Sequence, residues 1–530
     1  MNAPETSFDP ITLEVLRNAL EATAQEMGAV LKRTAFSPNI KERMDASCAI
    51  FDANAQLVAQ AEHVPVHLGS MLRAVSTTVA RFDELAEGDV LLVNDPFVGG
   101  SHLPDVMVIA PVFHHSALIG YAATRAHQAD IGGMEPGSMP GHSHEIYQEG
   151  LIIPPIKLAR RGEIVEDVLK MILANVRTPD EREGDLTAQI AANRVADTRL
   201  RDIVAKYGRR RVDSYASALQ DYTERVLRAT IAAIPDGTYT FEDWLDDDGF
   251  NDVPIAIRVA IRIAGDTAVV DFAGSDPQTT GGVNANFAIT FSATLYGFRC
   301  LVEEDVLYNA GIARVVRITA PEGSIANATR PSAVAGGNVE TSQRITDVIL
   351  GALSRALPDR IPAASQGTMN NVTLGGVDPR TGRRFAYYET IGGGMGARHG
   401  LDGISGVHTH MSNTRNTPVE ALEHYLPVRI RHYGLRQGSG GAGRWRGGDG
   451  IVREYEMLTE TAVTVLSDRR RGAPYGAAGG NDGTPGRNTA IRAGRAERLP
   501  GKFTLTLAAG DRLRIESPGG GGYGSVAERS

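Results

Sequence analysis

Three short apolar runs, residues 90–93, 106–109 and 118–122, each meet a polar cluster. No other feature constrains the first third of the chain as tightly. Runs of four or five apolar residues are too short for stable helices and suit buried strands. The clusters at their ends are Asn94-Asp95-Pro96, residues 101–105, and Arg125-Ala126-His127-Gln128-Ala129-Asp130. Side chains gathered where strands give way to loops are held by a rigid scaffold yet face open space, and α/β and α+β folds carry their sites there.

Upstream, Asp9 can cap a helix and Pro10 suits its first position. Leu13, Leu16, Leu20, Ala24, Met27 and Leu31 recur at spacings of three and four, which predicts one apolar stripe with Glu14, Arg17, Glu21 and Glu26 off it. In residues 164–234, Val212, Tyr215, Leu219, Tyr222 and Val226 keep that spacing, with Gly208 and Gly237 as stops, so a helical hairpin is expected. Ile255, Ile257, Val259, Ile261 and Ile263 alternate without a break and predict a strand buried on one face, turning at Gly265-Asp266 into residues 268–272. Residues 340–357 read as a further helix. From about 428 onward the chain is β- and glycine-rich, with residues 453–457 and 502–507 as strands of a small barrel or sandwich. The fold class expected is therefore α+β (mixed α/β) and multi-domain. Residues 1–160 form an α/β region that carries the N-terminal helix and the site, and 161–236 the helical hairpin. Residues 237–427 form a second α/β region and 428–530 a Gly-rich β region.

The bulk numbers exclude several classes of function. Lys and Arg total 54 against 63 Asp and Glu, so the net charge is 54 − 63 = −9. An acidic chain has no electrostatic reason to seek nucleic acid or an anionic membrane. No run approaches the roughly 20 apolar residues of a membrane span, and the polar, acidic first ten residues do not read as a signal peptide. Cys48 and Cys300 are the only cysteines, and neither has a Cys-x-x-Cys neighbour. They read as reduced thiols of a cytoplasmic protein rather than as zinc ligands. There is no phosphate-binding Gly-x-x-x-x-Gly-Lys-Ser/Thr loop, since Gly501-Lys502 runs into Phe503, and no Gly-x-Ser-x-Gly elbow.

The positive signal is histidine. Eight of the thirteen lie between residues 63 and 144. His102 and Asp105 are three apart in a Gly-rich loop, and His127 and Asp130 repeat the spacing one strand pair later, so the two loops can meet at one sheet edge. Asp45 can add a further carboxylate. Such a mixed set suits zinc, with manganese or iron as alternatives, while turn-capping aspartates and hydrogen-bonded core histidines give the same spacing. His63 and His67 form another pair at helical spacing, which Pro65 argues against. His142, His144, Glu145 and Glu149 form a third polar group, read either as a solvated loop or as a catalytic carboxylate over the metal. Asp246-Asp247-Asp248 reads as a solvated acidic turn rather than a metal site, and Gly519-Gly520-Gly521-Gly522-Tyr523-Gly524 as a turn cluster rather than an anion-binding nest.

Several of these motifs resemble, in order, those of the hydantoinase B/oxoprolinase family. They are residues 37–48, from Ser37 to Cys48; Asn94-Asp95-Pro96 with Gly99-Gly100-Ser101-His102-Leu103-Pro104-Asp105; residues 126–133, around His127; Glu145-Ile146-Tyr147-Gln148-Glu149-Gly150-Leu151; Gly336-Gly337-Asn338-Val339-Glu340; and Gly520-Gly521-Gly522-Tyr523-Gly524. The resemblance covers nearly the whole chain. It implies one subunit of an ATP-dependent enzyme that opens a cyclic amide such as a hydantoin, 5-oxoproline or a lactam. ATP would be bound by a hydantoinase A-type partner of actin-like fold, in a heterotetramer with two copies of each subunit. It also implies a metal held by Asp45, His102, Asp105 and His127, which would activate water, with Asp130, Glu145 or Glu149 moving protons. More distant relatives carry a second implication, a subunit of an ATP-dependent ketone carboxylase of the acetone or acetophenone type.

Overall fold

The computed structural model describes residues 8–61 and 64–528, the side chains of Leu68 and Glu528 aside. The chain opens on helix α1 (Pro10–Thr34), and Asp9 caps it by accepting from the amides of Ile11 and Thr12. Leu16, Leu20, Ala24, Met27 and Leu31 are buried along one stripe, as the spacing predicts. Each large apolar side chain so covered contributes about 1.5–3 kcal/mol. After the single turn α2 (Pro38–Lys41) come β1 (Ala46–Asp52), β2 (Leu57–Ala61) and helix α3 (Pro65–Val79), for which Pro65 supplies the first residue rather than a break.

The predicted strands are β3 (Val90–Val93), β4 (Asp105–His114) and β5 (Ala117–His127). With β6 (Ile156–Arg160) and β7 (Glu163–Ile164) they complete a seven-stranded antiparallel sheet in the order β2-β1-β5-β4-β3-β6-β7. The β4–β5 turn is His115-Ser116, both in the left-handed region at φ 49° and 62°, as a tight two-residue hairpin loop requires. That turn sets a register in which Asp105 faces His127 at the far end.

The helical stretch comprises three helices, α4 (Glu166–Ala174), α5 (Pro179–Tyr207) and α6 (Arg209–Ala232). Gly208, at φ 79°, divides α5 from α6. Gly237 opens the next strand instead of ending a helix. Ala188, Ala192 and Ala196 on α5 are small enough to let α1 and the sheet close over one shared core.

A second antiparallel unit holds β8 (Gly237–Leu245), β9 (Ile255–Ala264) and β10 (Thr267–Asp271), joined by the parallel edge strand β11 (Val316–Thr319). All five alternating β9 residues are buried, and the turn falls at Gly265-Asp266. Helices α7 (Phe287–Arg299) and α8 (Ser342–Ala356) cover the core between this sheet and the first.

The rest is a two-sheet sandwich. One sheet pairs β12 (Asn371–Val377), β13 (Arg384–Glu389), β16 (Thr461–Leu466) and β19 (Lys502–Leu507). The other pairs β14 (Val428–Arg436), β15 (Gly450–Met457), β17 (Arg487–Arg492), β18 (Arg495–Leu499) and β20 (Arg512–Glu516). Val372, Leu374 and Val463 from the first meet Tyr455, Leu513 and Ile515 from the second in a single core.

Two expectations are corrected here. Asp246, Asp247 and Asp248 are buried, not solvated. Asp246 accepts from the amides of Arg470 and Gly472, Lys502 lies 3.3 Å from Asp247, and Asp248 accepts from the amides of Phe250 and Asn251. The turn thus ties β8 to the sandwich through cationic and amide groups more than 200 residues downstream.

The late glycines are not a turn cluster either. Of residues 519–524 only Gly524 has a left-handed φ. The others allow backbone to lie on backbone. A Cβ at Gly519 would sit 2.0 Å from the Ser439 carbonyl, at Gly520 2.1 Å from that of Met395, and at Gly521 2.1 Å from that of Tyr475. Their amides donate to the carbonyls of Thr484, Gly448 and Ala364, so none is left for an anion.

Candidate metal centre

The site is built on the open end of the β4–β5 hairpin. Asp105 begins β4, His127 ends β5, and antiparallel pairing sets them opposite each other. His102 comes from the loop that enters β4. That loop is pinned by Asn94, which donates to the Leu103 carbonyl at 2.8 Å, and by Asn286, which donates to that of Ser101 at 2.7 Å. Gly99, at φ 97°, lies against α3 so closely that a Cβ would meet the Ala74 Cα at 2.9 Å.

Three donor atoms converge. His102 Nε2 lies 3.1 Å from Asp105 Oδ1, His127 Nδ1 lies 3.2 Å from the same oxygen, and the two nitrogens are 3.2 Å apart. All three residues are buried. Among the described residues they are the only group of three or more His, Cys, Asp or Glu whose ligand atoms lie within 4.8 Å of one another. Metal–ligand bonds of 2.0–2.1 Å in a tetrahedron space their ligands about 3.3 Å apart, close to what is present. A cation between the three atoms would be bound by all of them at once, with both imidazoles neutral and the carboxylate ionised. His127 Nε2, also buried, has no partner. The donor set fits a divalent metal.

The second oxygen of Asp105 is held from behind. His67 Nε2 lies 3.2 Å from Oδ2, the Ser101 hydroxyl also donates to it, and His67 Nδ1 lies 3.0 Å from Ser47 Oγ. Burial alone would raise the Asp105 carboxyl, but the charges of His102 and His67, with hydrogen bonds from His102 and His127, hold it well below the usual carboxylate range. Burial lowers the pKa of His127, favouring the neutral form a metal needs. Tyr388, from β13, stacks on the His127 ring at 4.1 Å and 14°.

The other expected residues are placed as follows. Asp45 is buried and its carbonyl accepts from the His127 amide at 3.0 Å, but its carboxylate is outside the three-residue group. The buried Arg43 lies 3.9 Å from that carboxylate. Asp130 is taken up in structure, accepting from the amides of Gly132, Gly137 and Arg177 and pairing with the Arg177 guanidinium at 2.9 Å. Glu145 is exposed. Glu149 is buried, accepts from Ser143 and from the amides of Val334 and Ala335, and burial pushes its carboxyl up to about 7. His142 and His144 are exposed, His144 stacked on Phe250. His63 lies outside the described residues. Tyr388 carries no site signal in local spacing; His67 is marked only by its pairing with His63, and Asn338 only by its Gly-Gly-Asn context.

The model of the hydantoinase B/oxoprolinase family matches residues 9–526. The chain belongs to the hydantoinase B/oxoprolinase family. An uncharacterized protein of Methanocaldococcus jannaschii is 44% identical over 98% of this chain and 92% of its own length. 5-Oxoprolinase 1 of Arabidopsis thaliana is 39% identical over 98% of this chain, which spans only 42% of that longer protein. Among solved structures, the ATP-dependent caprolactamase from Pseudomonas jessenii superposes with a TM-score of 0.93 at 32% identity, over 99% of this chain and 93% of that one. An acetone carboxylase in its nucleotide-free form matches at TM-score 0.91 and 19% identity, over 98% of this chain and 76% of that one, a likeness of fold alone. No helix among the described residues is long and apolar enough to cross a membrane.

Proposed function

We propose that this chain is the metal-binding subunit of a cytoplasmic, ATP-dependent amidohydrolase that opens a cyclic amide, a hydantoin, 5-oxoproline or a lactam, after activation in a hydantoinase A-type partner. The observation that carries the reading is the buried His102–Asp105–His127 cluster at the hairpin end. Support for a partner comes from the 5-oxoprolinase relative, in which the region matching this chain is less than half of the polypeptide. Likeness to a caprolactamase at 32% identity favours amide chemistry over the carboxylase alternative, whose counterpart shares fold only.

His102 Nε2, Asp105 Oδ1 and His127 Nδ1 would hold the cation, zinc in our assignment, with Asp45 turning in as the fourth ligand. When bound, the cation would supply Lewis-acid activation of water and of the carbonyl. His67 and Ser101 keep Oδ1 of Asp105 pointed inward, and Tyr388 fixes the plane of the His127 ring. Of the three candidate carboxylates, Glu149 is the one we assign to proton movement, because it accepts from the amide of Ala335, whose carbonyl faces His102 Nδ1, and because burial pushes its carboxyl up to about 7. Asp130 is committed to Arg177 and Glu145 faces solvent.

The test is reconstitution with the partner and ATP, supplying hydantoin, 5-oxoproline and caprolactam beside a ketone with bicarbonate. We expect ring opening, with metal bound, and its loss in His102→Ala and Asp105→Ala proteins that remain folded. Turnover of the ketone alone would refute the reading. Variants that lose only thermal stability would reduce the metal to a structural brace.

A further inference from the structure

A π-helical turn, Gly337–Thr341, sits at the head of α8 and has no part in the scheme above. It aims Asn338 at the metal centre. Asn338 Nδ2 lies 3.1 Å from His102 Nε2, while Oδ1 is buried and has no partner. The turn is tightly built. A Cβ at Gly337 would lie 1.9 Å from the Asn284 carbonyl, and Ser342 Oγ donates to the Asn338 carbonyl at 2.7 Å. Such wide turns inside helices recur where a side chain must be presented at a functional site.

In the neutral form that a metal needs, His102 donates from Nδ1 to the Ala335 carbonyl, at 3.4 Å, which puts its lone pair on Nε2. That lone pair can serve Asn338 or a cation, not both. With a cation between His102, Asp105 and His127, Asn338 Nδ2 loses its acceptor, and Oδ1 has no partner to begin with. A buried carboxamide with both ends unpaired is unfavourable. A molecule bound against the metal would be the group placed to pair it.

We infer that Asn338 is a substrate-contacting residue that reads the amide edge of the ring, an inference that rests on the metal-dependent, cyclic-amide reading. A ring amide is locked cis, so its N–H and C=O lie along one edge. The carboxamide of Asn338 offers N–H and C=O along one edge too, and two antiparallel hydrogen bonds join them. An open-chain amide is trans and puts the two groups on opposite sides. Once the terminal phosphoryl group of ATP is on the amide oxygen, with ADP released and the ring N–H proton given up to solvent, the ring nitrogen is an acceptor, which Nδ2 serves after a turn of the carboxamide.

The experiment is calorimetric titration of the zinc-loaded chain, in complex with its ATP-using partner but without ATP. The probes are 5-oxoproline and caprolactam, each beside its N-methyl derivative, and metal content and melting temperature are measured in parallel. Wild type is expected to bind the ring with a free N–H about tenfold more tightly than the N-methyl ring. Asn338→Ala is expected to bring the first down to the level of the second while keeping its zinc. If Asn338→Ala does not fold, the near-isosteric Asn338→Leu, which loses both the acceptor and the donor, should show the same collapse of discrimination. Discrimination that survives the substitution in a folded, zinc-loaded protein overturns the inference alone. So does a loss of zinc with the substitution, which would make Asn338 a residue of the metal rather than of the substrate. A wild-type complex that binds neither ring overturns the cyclic-amide reading and the inference with it.

Discussion

Replacing His67 by alanine tests whether the centre depends on more than its three converging atoms. In the native chain Asp105 Oδ1 faces His102 and His127, and Oδ2 is held by His67 Nε2 at 3.2 Å and by Ser101. Without His67, Oδ2 keeps one donor of two, and the carboxylate can swing its second oxygen toward the cation or toward Ser101. A hydrogen bond to a buried charged group contributes about 1.5–3 kcal/mol. Each 1.4 kcal/mol is a factor of ten, so zinc affinity should fall about 10–100-fold, the range found for groups that orient metal ligands. Competition with a chelator of known affinity measures it. The missing ring also leaves a cavity that costs about 3 kcal/mol of stability, so the melting temperature of the metal-free protein is needed alongside. His67→Gln, whose amide can still donate to Oδ2, should recover part of the affinity. A folded His67→Ala protein that binds zinc as tightly as wild type would refute the account.

Three further outcomes are expected. Asp45→Ala should weaken zinc binding at least tenfold without unfolding the chain; unchanged affinity would remove Asp45 from the ligand set. The Glu149 carboxyl is raised to about 7 from 4.5 by burial, so the folded chain holds this proton more tightly than the unfolded chain does. Its contribution to stability is therefore full below pH 4.5 and is lost as pH rises through 7, by about 3 kcal/mol. Thermal melting across that window should show the loss in wild type, and Glu149→Gln should flatten it. Gly520→Ala forces a methyl to within 2.1 Å of the Met395 carbonyl, an overpacking that costs several times the roughly 1 kcal/mol of a tolerated core change. The protein should melt far below wild type or fail to fold, whereas Gly494→Ala, with open space around it, should cost only its φ strain.

Wherever the physics is local, the amino-acid sequence by itself determined the outcome. Asp9 and Pro10 start α1 because capping needs only the next three amides. The alternation of residues 255–263 and the Gly265-Asp266 turn make a hairpin because pleating and turn geometry are properties of adjacent residues. His102, Asp105 and His127 come together because two of them end the strands of one hairpin and the third is a turn away, so a short register carries them to one point. Tertiary structure alone decided the rest. His67 reaches Asp105 only because α3 packs beside the sheet. Tyr388 and Asn338 arrive from more than 200 residues away, on elements whose own periodicity says nothing of a metal. Asp246, Asp247 and Asp248 look like a solvated turn until Lys502 and the amides of Arg470 and Gly472 close over them. The late glycines look like turns because glycine is so often the residue of positive φ. Here most serve instead to let three distant backbones touch, and closeness between segments so far apart in the chain leaves no mark on the neighbours of any one of them.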